Sequence, residues 1–451
     1  MFLTAIAAAA ALGGSAPAPA LTLQPCDVQS VAARCGTLRV PENRAEPTGR
    51  TIGLHVVVVP ARHKAEPDAF TYLAGGPGGA ATEQTYSIVS VWAAVNERHD
   101  ILLVDQRGTG MSSPLDCPQP KKPIVTPAQE RAYDRSCLAG LHADPRQYGT
   151  RAAMDDLDDV RAALGYAQLD VYGASYGATA AQVYLKRHRH SVRTLTLDGA
   201  TFLGVPFYGS FARNAQHALA QLAKRCAAEA PCARAFPHWP QTLARLIRTW
   251  NARPVHRTRA ATITGNELAG VVETMLLNAD SAASIPLVVA RAAAGAYGPL
   301  NQQVEPGVFT TQVMFWSVWC NEPWVGLGAK GPWHTDFDGY TALTIAQYRE
   351  ACSFLPKRPE PAAAWTLPTR SAVPLLVLAG GADPQDPLGN VPGLRETFPN
   401  ARAIVVPYYG HAVGQYGCLG GLVSDFIDRA SANGLDTRCV RAITPPPFAL
   451  R

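Results

Sequence analysis

The sequence predicts an α/β protein: a mostly parallel, doubly wound sheet flanked by helices and split by a large helical insertion. Three observations carry this. Short apolar runs alternate with segments of helical period in both the first and the last parts of the chain. Several of those runs end in glycine-containing turns, the mark of buried strands feeding loops. Between about Phe202 and Thr366 the rhythm gives way to a helical stretch rich in tryptophan, too long to be a loop.

Taken in order, residues 37–40 and 52–60 read as a strand pair, the second containing the β-branched run Val56-Val57-Val58-Val59. Residues 70–73 and 101–104 come next as buried strands. Thr150 opens a helix: its hydroxyl can cap, Asp155, Asp156, Asp158 and Asp159 lie in the early turns, and Met154, Leu157, Val160, Ala163 and Leu164 recur at helical spacing before Gly165 stops it. Residues 169–172 (strand), 178–187 (helix) and 192–197 (strand) complete a βαβ rhythm. After the insertion, strands are expected at 374–379 and 401–406 and helices at 388–398 and 419–432, with the proline-rich 356–368 as the return linker. The expected layout is a core in two parts, residues 21–201 and 367–451, with a helical cap over 202–366.

Composition narrows the function classes. Of 451 residues 47% are apolar, which rules out disorder and leaves ample material for a large core. The 40 basic residues are scattered against 35 acidic ones, which speaks against a nucleic-acid partner. Ten cysteines suit an oxidising compartment if they pair locally: Cys26 with Cys35, Cys117 with Cys137, Cys226 with Cys232, Cys320 with Cys352 and Cys418 with Cys439, one connectivity among many. No C-x-x-C and no H-E-x-x-H occurs, which speaks against structural zinc. The alanine-rich apolar start, followed by Ala16-Pro17-Ala18-Pro19-Ala20, reads as a secretory signal peptide over residues 1–20, although no Lys or Arg precedes it. No later stretch is long and apolar enough to span a bilayer and no cysteine sits at a lipoprotein position, so a secreted or periplasmic protein without stable membrane insertion is expected.

Gly173-Ala174-Ser175-Tyr176-Gly177 matches G-x-S-x-G between a strand and a helix. A sharp turn there lifts the hydroxyl out of the sheet, and small neighbours let the turn close; the alternative is a plain glycine-rich turn. A serine hydroxyl needs a base and an orienting acid. The candidates are His411, in Gly410-His411-Ala412, and Asp383, in Gly381-Ala382-Asp383-Pro384. Asp386 and Asp198 compete for the acid; His188 and His190 lie in a basic run that reads as a solvated helix end. Gly75-Gly76-Pro77-Gly78-Gly79 comes after a strand and can aim backbone N–H groups at a developing oxyanion, assigned to Gly76 and Tyr176. The loop lacks the Gly-Lys-Ser/Thr ending of a phosphate loop, though it could also be a mere turn.

These motifs, with Asp105-Gln106-Arg107-Gly108-Thr109-Gly110 and Leu197-Asp198-Gly199, resemble the tripeptidyl and prolyl aminopeptidase branch of the α/β hydrolases, more narrowly the secreted tripeptidyl aminopeptidases of actinobacteria and related bacteria. The resemblance runs over residues 26–439, with the insertion similar only in position and aromatic character. It implies an α/β-hydrolase fold and an exported serine exopeptidase that releases tripeptides, other short peptides or single residues from peptides with a free N-terminus, under a helical cap. Two departures stand out: Ala74 where many relatives have His, and Asp386 where they usually have Thr. Asp105 and Arg107 read as structural. Relatives place an acidic residue in the cap for the substrate ammonium, and Glu322, among Trp316, Trp319 and Trp324, is the candidate here; otherwise it is a surface carboxylate beside a disulfide. A carboxylesterase or lipase using the same triad, and a non-catalytic binding protein on the same scaffold, are the competing readings. The chemistry requires no metal or organic cofactor.

Overall fold

The computed structural model describes residues 21–63, 65–118, 120, 127–256, 262–301, 313–367 and 370–451. The leader reading over residues 1–20 lies outside them. One nine-stranded sheet organises the chain. Its strands are β1 (Gln24–Val28), β2 (Val31–Pro41), β3 (Thr51–Val59), β4 (Ala69–Leu73), β5 (Asp100–Val104), β6 (Leu169–Ala174), β7 (Val192–Asp198), β8 (Leu375–Gly380) and β9 (Ala401–Val406). They lie in the order β1-β2-β3-β5-β4-β6-β7-β8-β9. β1, β2, β3 and β5 pair antiparallel, and every pair from β5 to β9 is parallel.

Near-continuous apolar strands are what a parallel sheet covered on both faces requires. All six residues of β6 and of β8 are buried. The pleat sends alternate side chains to two cores: Val56, Val58, Leu375 and Val377 join one, and Val57, Val59, Leu376 and Leu378 the other. The first core continues into the inserted segment through Phe207, Trp239, Trp250, Leu268 and Phe337.

The helices that matter for the site are α1 (Thr85–Val91), α2 (Thr150–Leu164), α3 (Tyr176–Arg187), α4 (Phe207–Ala228), α5 (Gly265–Leu276), α6 (Val313–Asn321), α7 (Asp338–Phe354) and α8 (Leu419–Arg429). Helices α4 to α7 belong to the segment between β7 and β8, whose described residues are mainly helical, with a short paired piece at Val255–His256 and Thr262–Ile263. Among the described residues no helix is long and apolar enough to cross a membrane.

Five disulfides join Cys26 to Cys35, Cys117 to Cys137, Cys226 to Cys232, Cys320 to Cys352 and Cys418 to Cys439, and no described cysteine is free. Such a set fits an extracytoplasmic protein.

Three sequence expectations need correction. β1 forms where no strand was expected, because Gln24–Val28 folds back as a hairpin on an extended β2. Residues 388–398 are not one helix: Gly393 sits at φ 63 and splits the stretch into a short turn at Leu388–Asn390 and four helical residues at Leu394–Thr397. Gly149, not Thr150, occupies the N-cap of α2.

Candidate active site

Because β4 and β6 to β9 run parallel, their carboxyl ends share one edge of the sheet, the edge where such folds collect functional loops. Gly75–Gly79 leaves β4, Ser175 leaves β6, Asp198 ends β7, Asp383 comes just after β8 and His411 just after β9.

Ser175 holds φ 57 and ψ −126, a left-handed conformation that costs a non-glycine residue on the order of 1–3 kcal/mol. Its flanking glycines explain how the turn closes. A Cβ on Gly173 would lie 2.2 Å from the Gly177 carbonyl oxygen, and one on Gly177 would lie 2.0 Å from that of Leu73. Tyr176 begins α3, so the leading N–H groups and positive end of that helix lie beside the hydroxyl. Across the gap, a Cβ on Gly75 would come within 3.0 Å of Ser175 Cβ, which places the glycine loop directly against the serine. Asp105 anchors the segment after that loop: its carboxylate accepts hydrogen bonds from Thr82 N (2.9 Å), Thr82 Oγ1 (2.8 Å) and Met111 N (3.1 Å). Arg107 is fully buried, with Nε 2.6 Å from Asp156 Oδ2 and Nη1 donating to the carbonyls of Glu42 and Gln147.

His411 Nδ1 lies 2.8 Å from Asp383 Oδ2. The other carboxylate oxygen of Asp383, itself fully buried, accepts from Gln385 N (2.8 Å) and Asp386 N (2.9 Å), which fixes its plane. Asp386 Oδ2 stands 3.9 Å from the same ring nitrogen, and burial, ahead of the opposing His411 charge, raises its carboxyl to about 6. Burial pushes the His411 imidazolium down, but Asp383, Asp386 and Asp198 outweigh it and raise the ring to about 10. His411 Nε2 is buried and has no hydrogen-bond partner, so the bond to Ser175 is not closed in this arrangement. Apo catalytic contacts commonly tighten only with substrate. The histidine is also pinned from the insertion: its main-chain N–H donates to the Leu277 carbonyl at 2.8 Å, just past α5.

The other candidates fall elsewhere. Asp198 makes no hydrogen bond to the ring and holds the backbone of the histidine loop instead. His188 and His190 precede β7 at the opposite edge, where His188 Nε2 lies 2.8 Å from Asp155. Glu322 is buried and does not lie on the surface. Its oxygens accept from Thr150 N (2.7 Å), Thr150 Oγ1 (2.8 Å) and Trp324 Nε1 (2.7 Å), so it closes the start of α2. Burial raises that carboxyl to about 8.

The acid that does approach the triad is Glu273, on α5, which sequence reasoning missed. It is 2% exposed, accepts from Gln385 Nε2 at 2.9 Å, and interacts electrostatically with His411 and Asp383. Burial lifts its carboxyl to about 7. Its setting, Val271-Val272-Glu273-Thr274 in an apolar helix, carries no local motif; the one signal was a lone charge on a face of helical period that is otherwise apolar.

A strained serine at a strand-to-helix turn, followed along the chain by Asp383 and a hydrogen-bonded His411, defines the α/β class of hydrolases. The chain matches the model of the alpha/beta hydrolase fold over residues 72–414 and belongs to that family. It is 28% identical to a tripeptidyl aminopeptidase of Streptomyces coelicolor over 186 residues, covering 37% of this chain and 34% of that protein. It is also 28% identical to the serine protease Hip1 of Mycobacterium tuberculosis over 187 residues, covering 37% of this chain and 36% of that one. The matches thus span about a third of the relatives' length. Among solved structures, a proline iminopeptidase of Mycobacterium smegmatis aligns with 15% identity and a TM-score of 0.39 over 87% of this chain and 98% of that one.

Proposed function

We propose that the protein is an exported serine exopeptidase that removes short peptides, tripeptides among them, or single residues from free N-termini. The observation that carries the hydrolytic part is the strained Ser175 beside a buried His411–Asp383 pair. Ser175 Oγ attacks the scissile carbonyl while His411 Nε2 takes its proton. Asp383 holds Nδ1–H and stabilises the imidazolium that results. The oxyanion is received by the N–H groups of Gly76 and Tyr176. His411 then returns the proton to the departing amine, and water repeats the sequence on the acyl-enzyme.

Two things favour an amino-terminal substrate: the names of the partial relatives, and Glu273. A buried carboxyl beside the triad is the group that a substrate ammonium would pair with, and the neutralisation removes its burial penalty. This reading gives the role to Glu273, beside the triad, and leaves Glu322 to hold Thr150 and Trp324.

Purified protein and a Ser175→Ala control, given free and N-acetylated peptidyl nitroanilides and nitrophenyl esters, test the reading. Cleavage of free peptides, lost in Ser175→Ala, is expected; cleavage of esters alone would leave an esterase. Glu273→Gln is expected to raise KM for free peptides about 10- to 100-fold while sparing esters. Equal loss on both would remove Glu273 from substrate binding.

A further inference from the structure

We propose that Asp198 is a positioning residue that locks the loop carrying the catalytic histidine to the turn carrying the nucleophile. The inference rests on the triad reading of the proposed function. Asp198 is the last residue of β7, next to β6 in the sheet, and is 2% exposed. Its main-chain oxygen accepts the Ser175 N–H at 2.9 Å. Its side chain reaches the other way: Oδ1 accepts Val413 N at 2.7 Å, and Oδ2 accepts Gly414 N at 2.7 Å and the Tyr172 hydroxyl at 2.5 Å. One residue therefore fastens the nucleophile by its backbone and the base by its carboxylate.

The surroundings are built for this. Gly414 has to be glycine, since a Cβ there would fall 2.1 Å from Tyr172 Oη and 3.0 Å from Asp198 Oδ2. Ala412 holds φ 54 between the histidine and the two anchored amides, a conformation the loop would leave if those amides were released. Gly199, next to Asp198, lies under the ring: a Cβ there would be 2.9 Å from His411 Cε1 and Nδ1. Burial pushes the Asp198 carboxyl up, against the pull of its three donors, and removing the carboxylate leaves two buried N–H groups without their acceptor.

Asp198 also bears on the ring through its charge. The acidic groups acting on His411 are Asp383 and Asp386 after β8, Asp198 on β7 and Glu273 on α5, and among the described residues no arginine or lysine makes an ion pair with any of them. Loss of the Asp198 charge lowers the pH at which His411 becomes a base, an effect that a purely structural bond would not have.

The test is Asp198→Asn, which keeps the shape but turns an NH2 toward one of the two amides. With a nitrophenyl ester as probe, kcat/KM is expected to fall about 100-fold, and the pH limb assigned to His411 to move to lower pH. Activity within about twofold of the native protein, or a fall with an unmoved limb, overturns the proposal. Should Asp198→Asn not fold, Tyr172→Phe decides: it takes one donor from the same carboxylate and is expected to lower kcat/KM severalfold, and no change overturns the proposal. Ser175→Ala separates the two levels. If it stays active the triad reading fails; if it is inactive while Asp198→Asn behaves as native, the positioning role alone fails.

Discussion

The sheet holds a buried histidine among carboxylates at each of its two ends, and the two behave differently for a reason that can be read from their partners. At the amino edge, His99 lies just before β5, its Nδ1 3.1 Å from Asp68 Oδ2 and 3.9 Å from Asp170 Oδ2, its Nε2 3.4 Å from Asp428 Oδ1. Arg193 stands in the same cluster, 2.9 Å and 3.0 Å from the Asp170 oxygens, and also donates to the Ile427 carbonyl of α8 at 2.9 Å. Both ring nitrogens face acids and an arginine balances the charge. At the carboxyl edge, His411 has one nitrogen on Asp383 and the other unpaired, and among the described residues no arginine or lysine makes an ion pair with Asp383 or Asp386. Residue type is shared; chemistry depends on the nitrogen left free and the charge left uncompensated. The first cluster fastens α8 to the sheet, whereas the second leaves one ring nitrogen free on a histidine that its carboxylates hold charged up to high pH.

The sharpest way to break this contrast is to delete each ring. His411→Ala is expected to lower kcat by about 10⁶-fold and, since it leaves Asp383 and Asp386 buried without their cation, to lower the unfolding temperature as well. His99→Ala is expected to leave kcat within a few-fold while lowering the unfolding temperature, because it strands buried carboxylates. Steady-state kinetics and thermal unfolding on both variants decide it, and a large loss of turnover from His99→Ala would erase the distinction. Next in size, Asp383→Asn should cost about 10⁴-fold in kcat by spoiling the tautomer and charge at Nδ1. Asp170→Asn, at the amino edge, should leave kcat near native.

Acidity sharpens the contrast further, since it sets stability against activity. His411 is raised from 6.5 to about 10, so its contribution to folding is complete below pH 6.5 and is lost as pH climbs through 10. His99 is raised as well, against the pull of burial, by Asp68, Asp170 and Asp428, and loses its contribution in the same direction. The free base at Nε2, needed for attack, grows about tenfold per pH unit over that span. Turnover of a neutral ester is therefore expected to rise between pH 7 and 10 while the unfolding temperature falls. A rate profile already flat at pH 7 would show that the carboxylates do not hold His411 charged.

How much of this was legible in the sequence depends on the range of each interaction. The serine turn is local: Gly173, Ser175 and Gly177 are forced by contacts within β6, α3 and Leu73, so five letters and a flanking strand were enough to find it. Asp383 and His411 were legible because each ends a strand of the parallel series, and their 2.8 Å contact results from β8 pairing with β9. The partners of Asp198 were illegible, because choosing between an acid and an anchor takes the positions of Val413 and Gly414, more than 200 residues away. The surroundings of Glu322 and Glu273 were illegible for the same reason: Thr150, which bonds Glu322, lies 172 residues away, and Gln385, which bonds Glu273 beside the triad, lies 112 residues away. The split of residues 388–398 turns on Gly393, whose φ of 63 separates the turn from the four helical residues, a break that apolar spacing does not register.

The smallest expected effect on turnover concerns the hold on the histidine loop from its far side. Cys418 sits at the N-cap of α8 and Cys439 in the turn Arg438–Ala442, so their disulfide closes a loop with a sequence separation of 21 just downstream of the site. In the chain-entropy view, replacing both with alanine costs about 3 kcal/mol of stability. The anchors at Val413 and Gly414 lie between His411 and Cys418, so the base should keep its place without the disulfide. The double variant is expected to unfold at lower temperature with kcat within about twofold of native, and Cys26→Ala/Cys35→Ala, in the β1–β2 hairpin remote from the triad, to behave alike. If turnover falls only in the Cys418→Ala/Cys439→Ala protein, the loop is held from its carboxyl side and Asp198 shares its task with the disulfide.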